Sequence, residues 1–270
     1  MLKQRVMTGA GLAFGIVAVL LLSEHYWFLK VIAVLLSLMA TYELCRAGEY
    51  LKRKAFLFGT MAASIFFALF GSPKLAGIVL LLALMGAIYL MRQIQNMKTV
   101  LEWMILLVAS VSAYFFGLLT EIRLQPRGFF MLTMVILIPV ITDIGAYFFG
   151  KRFGKHKLAP VISPKKTWEG SVGGTFSAVV LLTLAAWLLE QSGYVSVNMR
   201  YWVNYILFAS CISQLGDLTF STVKRIAGIK DYGTILPGHG GILDRFDSLL
   251  FVIPFTAFVN QHLDLLLITV

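Results

Sequence analysis

Acids are scarce in this chain. There are 13 Asp+Glu against 23 Lys+Arg, and charged residues of both signs make up only 13% of the 270 positions. Soluble domains carry roughly 25% charged residues, so a globular surface facing water on all sides is excluded. Cysteine is nearly missing too. Cys45 and Cys211 stand far apart inside apolar segments, which rules out a disulfide framework and a thiolate metal site and leaves two small buried hydrophobes. The four histidines, His25, His156, His239 and His262, are scattered with no cysteine beside them, which argues against zinc. No GxxxxGK[ST] pattern occurs, so there is no Walker A loop. Internal repeats and low-complexity tracts are absent as well.

What the chain does have is apolar sequence: 59% hydrophobic residues and a mean hydropathy of +0.84. The apolar stretches run end to end, which implies one membrane bundle without a separate soluble domain. A spanning helix needs ~20 mostly apolar residues, and nine segments qualify: 7–22, 27–45, 55–71, 75–91, 102–120, 129–150, 170–189, 201–220 and 247–268. The third and fourth are separated only by the turn Gly71-Ser72-Pro73-Lys74. The first follows Lys3 and Arg5 like a signal peptide, but no small-residue cleavage site precedes Glu24-His25-Tyr26-Trp27, so it reads as a retained span.

Charge placement orients the bundle. With the amino terminus inside, 18 basic residues fall in inside segments and 5 in outside ones, the asymmetry that cytoplasmic loops carry. The expected fold is therefore an all-α integral membrane protein of about nine transmembrane helices, N-terminus cytoplasmic and C-terminus outside. Residues 1–120 would hold five N-terminal spans. Residues 121–270 would form the catalytic transmembrane region, with cytoplasmic loops 151–169 and 221–246. The basic excess is then mostly topological, and no nucleic acid partner is needed to explain it.

The few acids are concentrated. Five of the six aspartates, Asp143, Asp217, Asp231, Asp244 and Asp247, fall between residues 143 and 247. Asp143 lies about seven residues before Gly150, hence ~10 Å inside its segment at ~1.5 Å per residue. Asp217 sits near the same end of the eighth segment. A carboxylate in mid-span costs roughly 2.5–3.5 kcal/mol on insertion scales, so each needs a partner, a buried ion pair or a cation site. Asp244 and Asp247, in Asp244-Arg245-Phe246-Asp247, share a face if that stretch is helical, and one of them could instead cap the helix. Carboxylates without His or Cys suit hard cations, and Mg²⁺ held by one or two carboxylates plus substrate phosphates fits best.

The basic residues that could meet such a substrate form two blocks. Lys151 to Lys166 reads as a loop feeding a helix that Ser163 or Thr167 could cap, an anion site with Lys165 and Lys166 beside it. The second block, Lys224-Arg225 with Lys230, precedes Gly238-His239-Gly240-Gly241, whose amides could approach phosphate oxygens. Either block alone could serve attraction to anionic lipid. Together with the acids they have the polarity of a metal–nucleotide site.

At this level the chain resembles a known family. Ser221, Lys224-Arg225, Lys230-Asp231, Leu236-Pro237, His239-Gly240-Gly241 and Asp244-Arg245-x-Asp247 match, in order and spacing, the signature of the phosphatidate cytidylyltransferases, or CDP-diacylglycerol synthases. Asp143-Ile144-Gly145-Ala146-Tyr147, Gly150 to Lys155 and Ser163 to Gly170 also look like that family's central segment. The motifs cover the second half of the chain, and the first half resembles the family in hydropathy only. Phe220 departs from the pattern, standing where many members carry an acid before the serine.

The resemblance implies an enzyme of phospholipid biosynthesis that joins CTP and phosphatidate into CDP-diacylglycerol and pyrophosphate. It would require Mg²⁺, with K⁺ as a candidate second cation. Asp143, Asp217, Asp244 and Asp247 would hold the cations. Asp217, Lys224, Arg225, Asp244 and Asp247 would carry the catalytic roles. Ser163, Lys165, Lys166, Thr167, Ser221, Lys230, Asp231, His239, Gly240, Gly241 and Arg245 would bind substrate. The enzyme would be a multi-pass protein of the cell (inner, plasma) membrane with its site facing the cytoplasm. Membrane lipids surround it, and a homodimer is the one protein partner considered. Two rivals are weighed. A CTP-dependent polyprenol or dolichol kinase, or an ether-lipid synthase, would also use CTP, but the full Ser221–Asp247 signature argues against a kinase. A cation-coupled transporter would explain intramembrane acids, yet no inverted repeat is present and the polar residues crowd one leaflet.

Overall fold

Without water to satisfy a backbone, an apolar chain in a bilayer must close its hydrogen bonds within helices, and the observed elements follow that constraint. The computed structural model describes residues 2–70, 97–125, 127–193, 196–233, 235, 240–262 and 266–267. In chain order the helices are α1 (Leu2–Leu22), α2 (Tyr26–Ala47), α3 (Lys54–Phe70), α4 (Met97–Leu124), α5 (Gly128–Phe153), α6 (Trp168–Gln191), α7 (Met199–Ile226) and α8 (Leu243–His262). The protein is thus a mostly helical multi-pass membrane protein. Among the described residues, five helices are long and apolar enough to cross a membrane: α2, the Glu102–Leu124 part of α4, α5, α6 and α7. The apolar part of α1 (Met7–Leu22) and α3 are shorter. The expected span 75–91 lies outside the described residues.

Most helices overrun the apolar segments because a helix ends at a cap, not at the last apolar residue. The span expected at 247–268 is instead a helix over Leu243–His262, with Leu266–Leu267 in a short strand. The spans expected at 170–189 and 201–220 become Trp168–Gln191 and Met199–Ile226. Four short strands also modify the all-helical expectation. β1 (Lys157–Ala159) and β2 (Ser163–Thr167) pair antiparallel, Lys157 opposite Thr167 and Ala159 opposite Ser163, and β3 (Ser196–Val197) pairs with β4 (Leu266–Leu267). The reason for the first hairpin lies in Pro160 and Pro164, which cannot continue a helix and hold their predecessors extended. The stretch expected as a loop feeding a helix is therefore a hairpin, closed by the Trp168 N–H donating to the His156 carbonyl at 3.0 Å.

The chain divides into two compact units, Met1–Glu121 with Ala227–Phe246, and Ile122–Ile226 with Asp247–Val270. In the first, α2 packs on α3 with Ala33, Ala40 and Ala68 buried, and the hydroxyls of Thr41 and Ser64 lie 2.7 Å apart. Arg53 and Glu102 form an ion pair at its surface. In the second, α5, α6 and α7 pack together, and Trp202 and Ile206 of α7 and Leu250 and Ile253 of α8 are buried. α5 and α6 touch through Gly174, where an added Cβ would stand 2.5 Å from the Thr142 carbonyl oxygen. Small residues of this kind let membrane helices approach closely. A row of hydroxyl and amide groups then crosses the interface. Thr142 and Ser210 oxygens are 2.8 Å apart, Ser210 donates to Thr175 at 3.1 Å, and the Gln214 amide donates to Thr175 at 2.9 Å and to the Ser171 carbonyl at 3.3 Å. Cys45 is buried as expected, whereas Cys211, on α7, is exposed.

Candidate active site

The second unit concentrates the chemistry at one end of its helices. Thr167 ends β2 in extended conformation, and its Oγ1 accepts the Gly170 N–H at 3.1 Å, so of the two expected caps it is Thr167 that starts α6. Glu169 in the first turn accepts the His156 N–H at 3.2 Å and faces its ring nitrogen Nδ1 at 2.6 Å, which fastens the hairpin to the helix start. Lys165 and Lys166 project from this hairpin. With Asp143 of α5, Lys151, Thr167 and Gln214 they line a cavity of about 340 Å³, a volume within the ~300–1,000 Å³ of small-molecule sites.

Next to the cavity the acids meet their partners. Lys166 pairs with Asp217 of α7, and the Ser221 hydroxyl donates to the same carboxylate at 3.2 Å, one turn later on the helix. Asp247 of α8 is buried at 7% exposure, and its Oδ2 lies 4.0 Å from Lys224 Nζ, beyond hydrogen-bond reach though within strong Coulomb range. Its other oxygen accepts the Ser248 N–H at 2.7 Å. Asp217 and Asp143 both act on Asp247 as like charges. Arg225 donates from Nε to the Ile162 carbonyl at 3.2 Å, tying the end of α7 to the hairpin connection. Phe220, at the departure from the family pattern, is buried with its ring 6.3 Å from that of Phe251.

The second unit thus brings together Asp143, Asp217, Asp247, Lys165, Lys166, Thr167, Ser221, Lys224 and Arg225. Ser163 starts β2 opposite Ala159 and is half-buried. The remaining candidates belong to the first unit. Lys230, Asp231 and Arg245 are exposed there, Gly241 is buried, and Gly240 has φ +85°, a left-handed value that suits glycine. Asp244 lies in the first turn of α8, and its Oδ2 accepts the N–H groups of Tyr232 at 2.9 Å and Gly241 at 3.0 Å. His239 lies outside the described residues. Among the described residues no three His, Cys, Asp or Glu side chains form a ready-made metal cage. Asp143, Asp217 and Asp247 supply only carboxylate oxygen, the donor type of hard cations, and a Mg²⁺ site usually completes its shell with substrate phosphates and water.

Sequence reasoning passed over Ser171 and Gln214, which line the cavity and bond to each other. Their signal was an amide in an apolar segment three residues before Asp217, facing a serine just past the helix start.

A cleft of carboxylates and lysines lies at the end of a mostly helical membrane bundle, and sequence comparison gives the family. The chain belongs to the cytidylyltransferase family, whose pattern matches residues 3–263. Over 147 residues it is 46% identical to the phosphatidate cytidylyltransferase of Staphylococcus aureus (strain COL), a match covering 54% of this chain and 54% of that protein. It is likewise 46% identical over 132 residues to the phosphatidate cytidylyltransferase of Staphylococcus saprophyticus, covering 48% of each chain. That of Staphylococcus epidermidis (strain ATCC 12228) is 43% identical over 147 residues, covering 54% of each. The chain spans about half the length of the curated relatives it matches.

Proposed function

We propose that this protein transfers CMP from CTP to phosphatidate, forming CDP-diacylglycerol and pyrophosphate. The observation that carries the reading is the cavity of about 340 Å³ lined by Asp143, Lys165 and Lys166, with Asp217 ion-paired to Lys166 at its edge. Lysines of this density suit a polyanion, and carboxylates beside them suit a cation that a triphosphate brings with it. The relatives' name supplies the lipid acceptor.

In the reaction a phosphate oxygen of phosphatidate attacks the α-phosphorus of CTP. The bond from that phosphorus to the α,β-bridging oxygen breaks, and pyrophosphate leaves with the electron pair. A phosphate monoester is already anionic near neutral pH, so no side-chain base is required. The work of the protein is to hold two polyanions in line and to offset the charge on the leaving group. Lys165 and Lys166 neutralise the triphosphate. Lys224 and Arg225, at the end of α7, take the lipid phosphate. Asp143, Asp217 and Asp247 would hold Mg²⁺, which when bound supplies charge neutralisation for the phosphates, with K⁺ as a second cation. Lys230, Asp231, His239, Gly240, Gly241 and Arg245 are assigned to nucleotide positioning, and Asp244 to the cation set, on the family signature. The bundle has nine spans, its N-terminus and active site face the cytoplasm of the cell membrane, and its C-terminus lies outside.

The test is an assay of the full chain in detergent micelles with CTP, phosphatidate and Mg²⁺. Release of pyrophosphate together with CDP-diacylglycerol is expected. Release of CDP with a phosphorylated lipid would identify a kinase instead, and ion flux in proteoliposomes without CTP would identify a transporter.

A further inference from the structure

One acid lies far in sequence from every motif. Glu43 sits in α2, fully buried, within a segment apolar enough to cross a membrane. A carboxylate there costs roughly 2.5–3.5 kcal/mol on insertion scales, so strong partners are required. They are two backbone amides 199 and 200 residues further along the chain. Oε1 accepts the Ile242 N–H and Oε2 the Leu243 N–H, both at 2.8 Å. These amides open α8, where N–H groups have no intrahelical partner, and the carboxylate also meets the positive end of the helix dipole.

The fit around Glu43 is close. A Cβ added at Gly241 would stand 2.5 Å from both carboxylate oxygens, and one at Gly233 would collide with Oε1. Asp244 completes the arrangement by holding the N–H groups of Tyr232 and Gly241. Two carboxylates therefore hold four amides of one segment. A helix cap is ordinarily supplied by the residue next to the helix. Here it comes from a helix some 200 residues earlier in the chain and is seated where only glycine leaves room.

We infer that Glu43 is a positioning residue for the Gly240–Arg245 segment: it fixes the turn that presents Gly240, Gly241, Asp244 and Arg245, and acts in the reaction only through them. The kinetic part of this inference rests on the cytidylyl-transfer reading, and the structural part does not.

The experiment compares the full-length wild type with Glu43→Ala, Glu43→Gln and Gly233→Ala in detergent micelles. Amide hydrogen exchange at Ile242 and Leu243 is read beside steady-state kinetics with CTP and phosphatidate varied separately. In Glu43→Ala, exchange at those two amides is expected to rise while peptides of α5–α7 keep their protection. The value of kcat/KM for CTP is expected to fall about tenfold or more, with KM for phosphatidate unchanged. Glu43→Gln keeps one acceptor oxygen and should fall between; it carries the comparison if Glu43→Ala does not accumulate folded. Gly233→Ala displaces the carboxylate without removing it and should shift both readouts the same way. A merely structural role would lower the amount of active protein, hence apparent kcat, and leave both KM values alone. Unchanged exchange at Ile242 and Leu243, or raised exchange with an unchanged KM for CTP, overturns the inference. If the wild type forms no CDP-diacylglycerol, the cytidylyl-transfer reading falls, and exchange alone then upholds or overturns the clamp.

Discussion

Asp247→Asn puts the cation assignment to its hardest test, because the residue sits between opposing charges. Lys224 lies 4.0 Å away with both side chains 10% exposed, an attraction of about 4 kcal/mol at an effective dielectric near 20. Asp217 and Asp143 oppose it as like charges. Removing one partner of a buried pair costs about 3–5 kcal/mol. Relief of the like-charge repulsion offsets part of that, so without divalent cation the variant should lose about 1–3 kcal/mol. Magnesium separates the effects. At a hundredfold excess over Kd a ligand stabilises the native state by about 2.7 kcal/mol, and at tenfold by about 1.4 kcal/mol. For a chain of this size 1 kcal/mol moves the melting temperature by about 2–4 °C. Saturating Mg²⁺ should thus raise the wild-type melting temperature by about 5–10 °C, and a site weakened tenfold should show about half of that. The assay is thermal unfolding of purified protein in detergent across a Mg²⁺ titration, with turnover followed in parallel. An Asp247→Asn variant with the full wild-type Mg²⁺ shift would refute the assignment.

Three further outcomes are expected. Lys166→Ala releases Asp217 from a partly exposed ion pair, so stability should move by less than about 1 kcal/mol. Its KM for CTP should rise about tenfold or more, the worth of one charge-assisted contact; steady-state kinetics with CTP varied would expose an unchanged KM. Gln214→Leu removes hydrogen bonds to Ser171 and Thr175 across the α6–α7 interface. At about 0.6 kcal/mol for each interhelical bond in a membrane, the loss should come to about 2 kcal/mol in a detergent melt, and a variant as stable as wild type would count against it. Gly174→Ala sets propensity against packing. Alanine favours helix by about 1 kcal/mol, but its Cβ would stand 2.5 Å from the Thr142 carbonyl oxygen. Overpacking should win with a net loss of about 1–3 kcal/mol, and a raised melting temperature would show that α5 and α6 can move apart.

Hydropathy located most of the helices because the bilayer imposes one requirement on every span. The segments read at 27–45 and 129–150 fall inside α2 and α5, each a few residues longer. Much of the cleft was legible for a related reason: Asp143 and Asp217 are acids in apolar surroundings and so declare themselves. The hairpin at 157–167 was less visible, since Pro160 and Pro164 forbid helix without specifying what replaces it. Glu43 was hidden by its context. It stands in the second span with no motif around it, and its partners are main-chain amides, which carry no side-chain signature. Asp244 illustrates the same limit from the other side. Its observed partners, the amides of Tyr232 and Gly241, are brought to it by tertiary structure and leave no mark in the sequence.

The pairing of Glu43 with Ile242 and Leu243 also bears on how the protein is made. A ribosome adding about 5–20 residues per second needs about 10–40 s to travel from the glutamate to the amides that receive it. Throughout that interval the nascent chain holds an unsatisfied acid in its second helix, and the first unit cannot close until residues 227–246 have been translated. Closure of the first unit is then a late event relative to synthesis of its helices, gated by a segment made some 200 residues after the glutamate. A chain stopped shortly before Ile242 would lack both amide partners of Glu43.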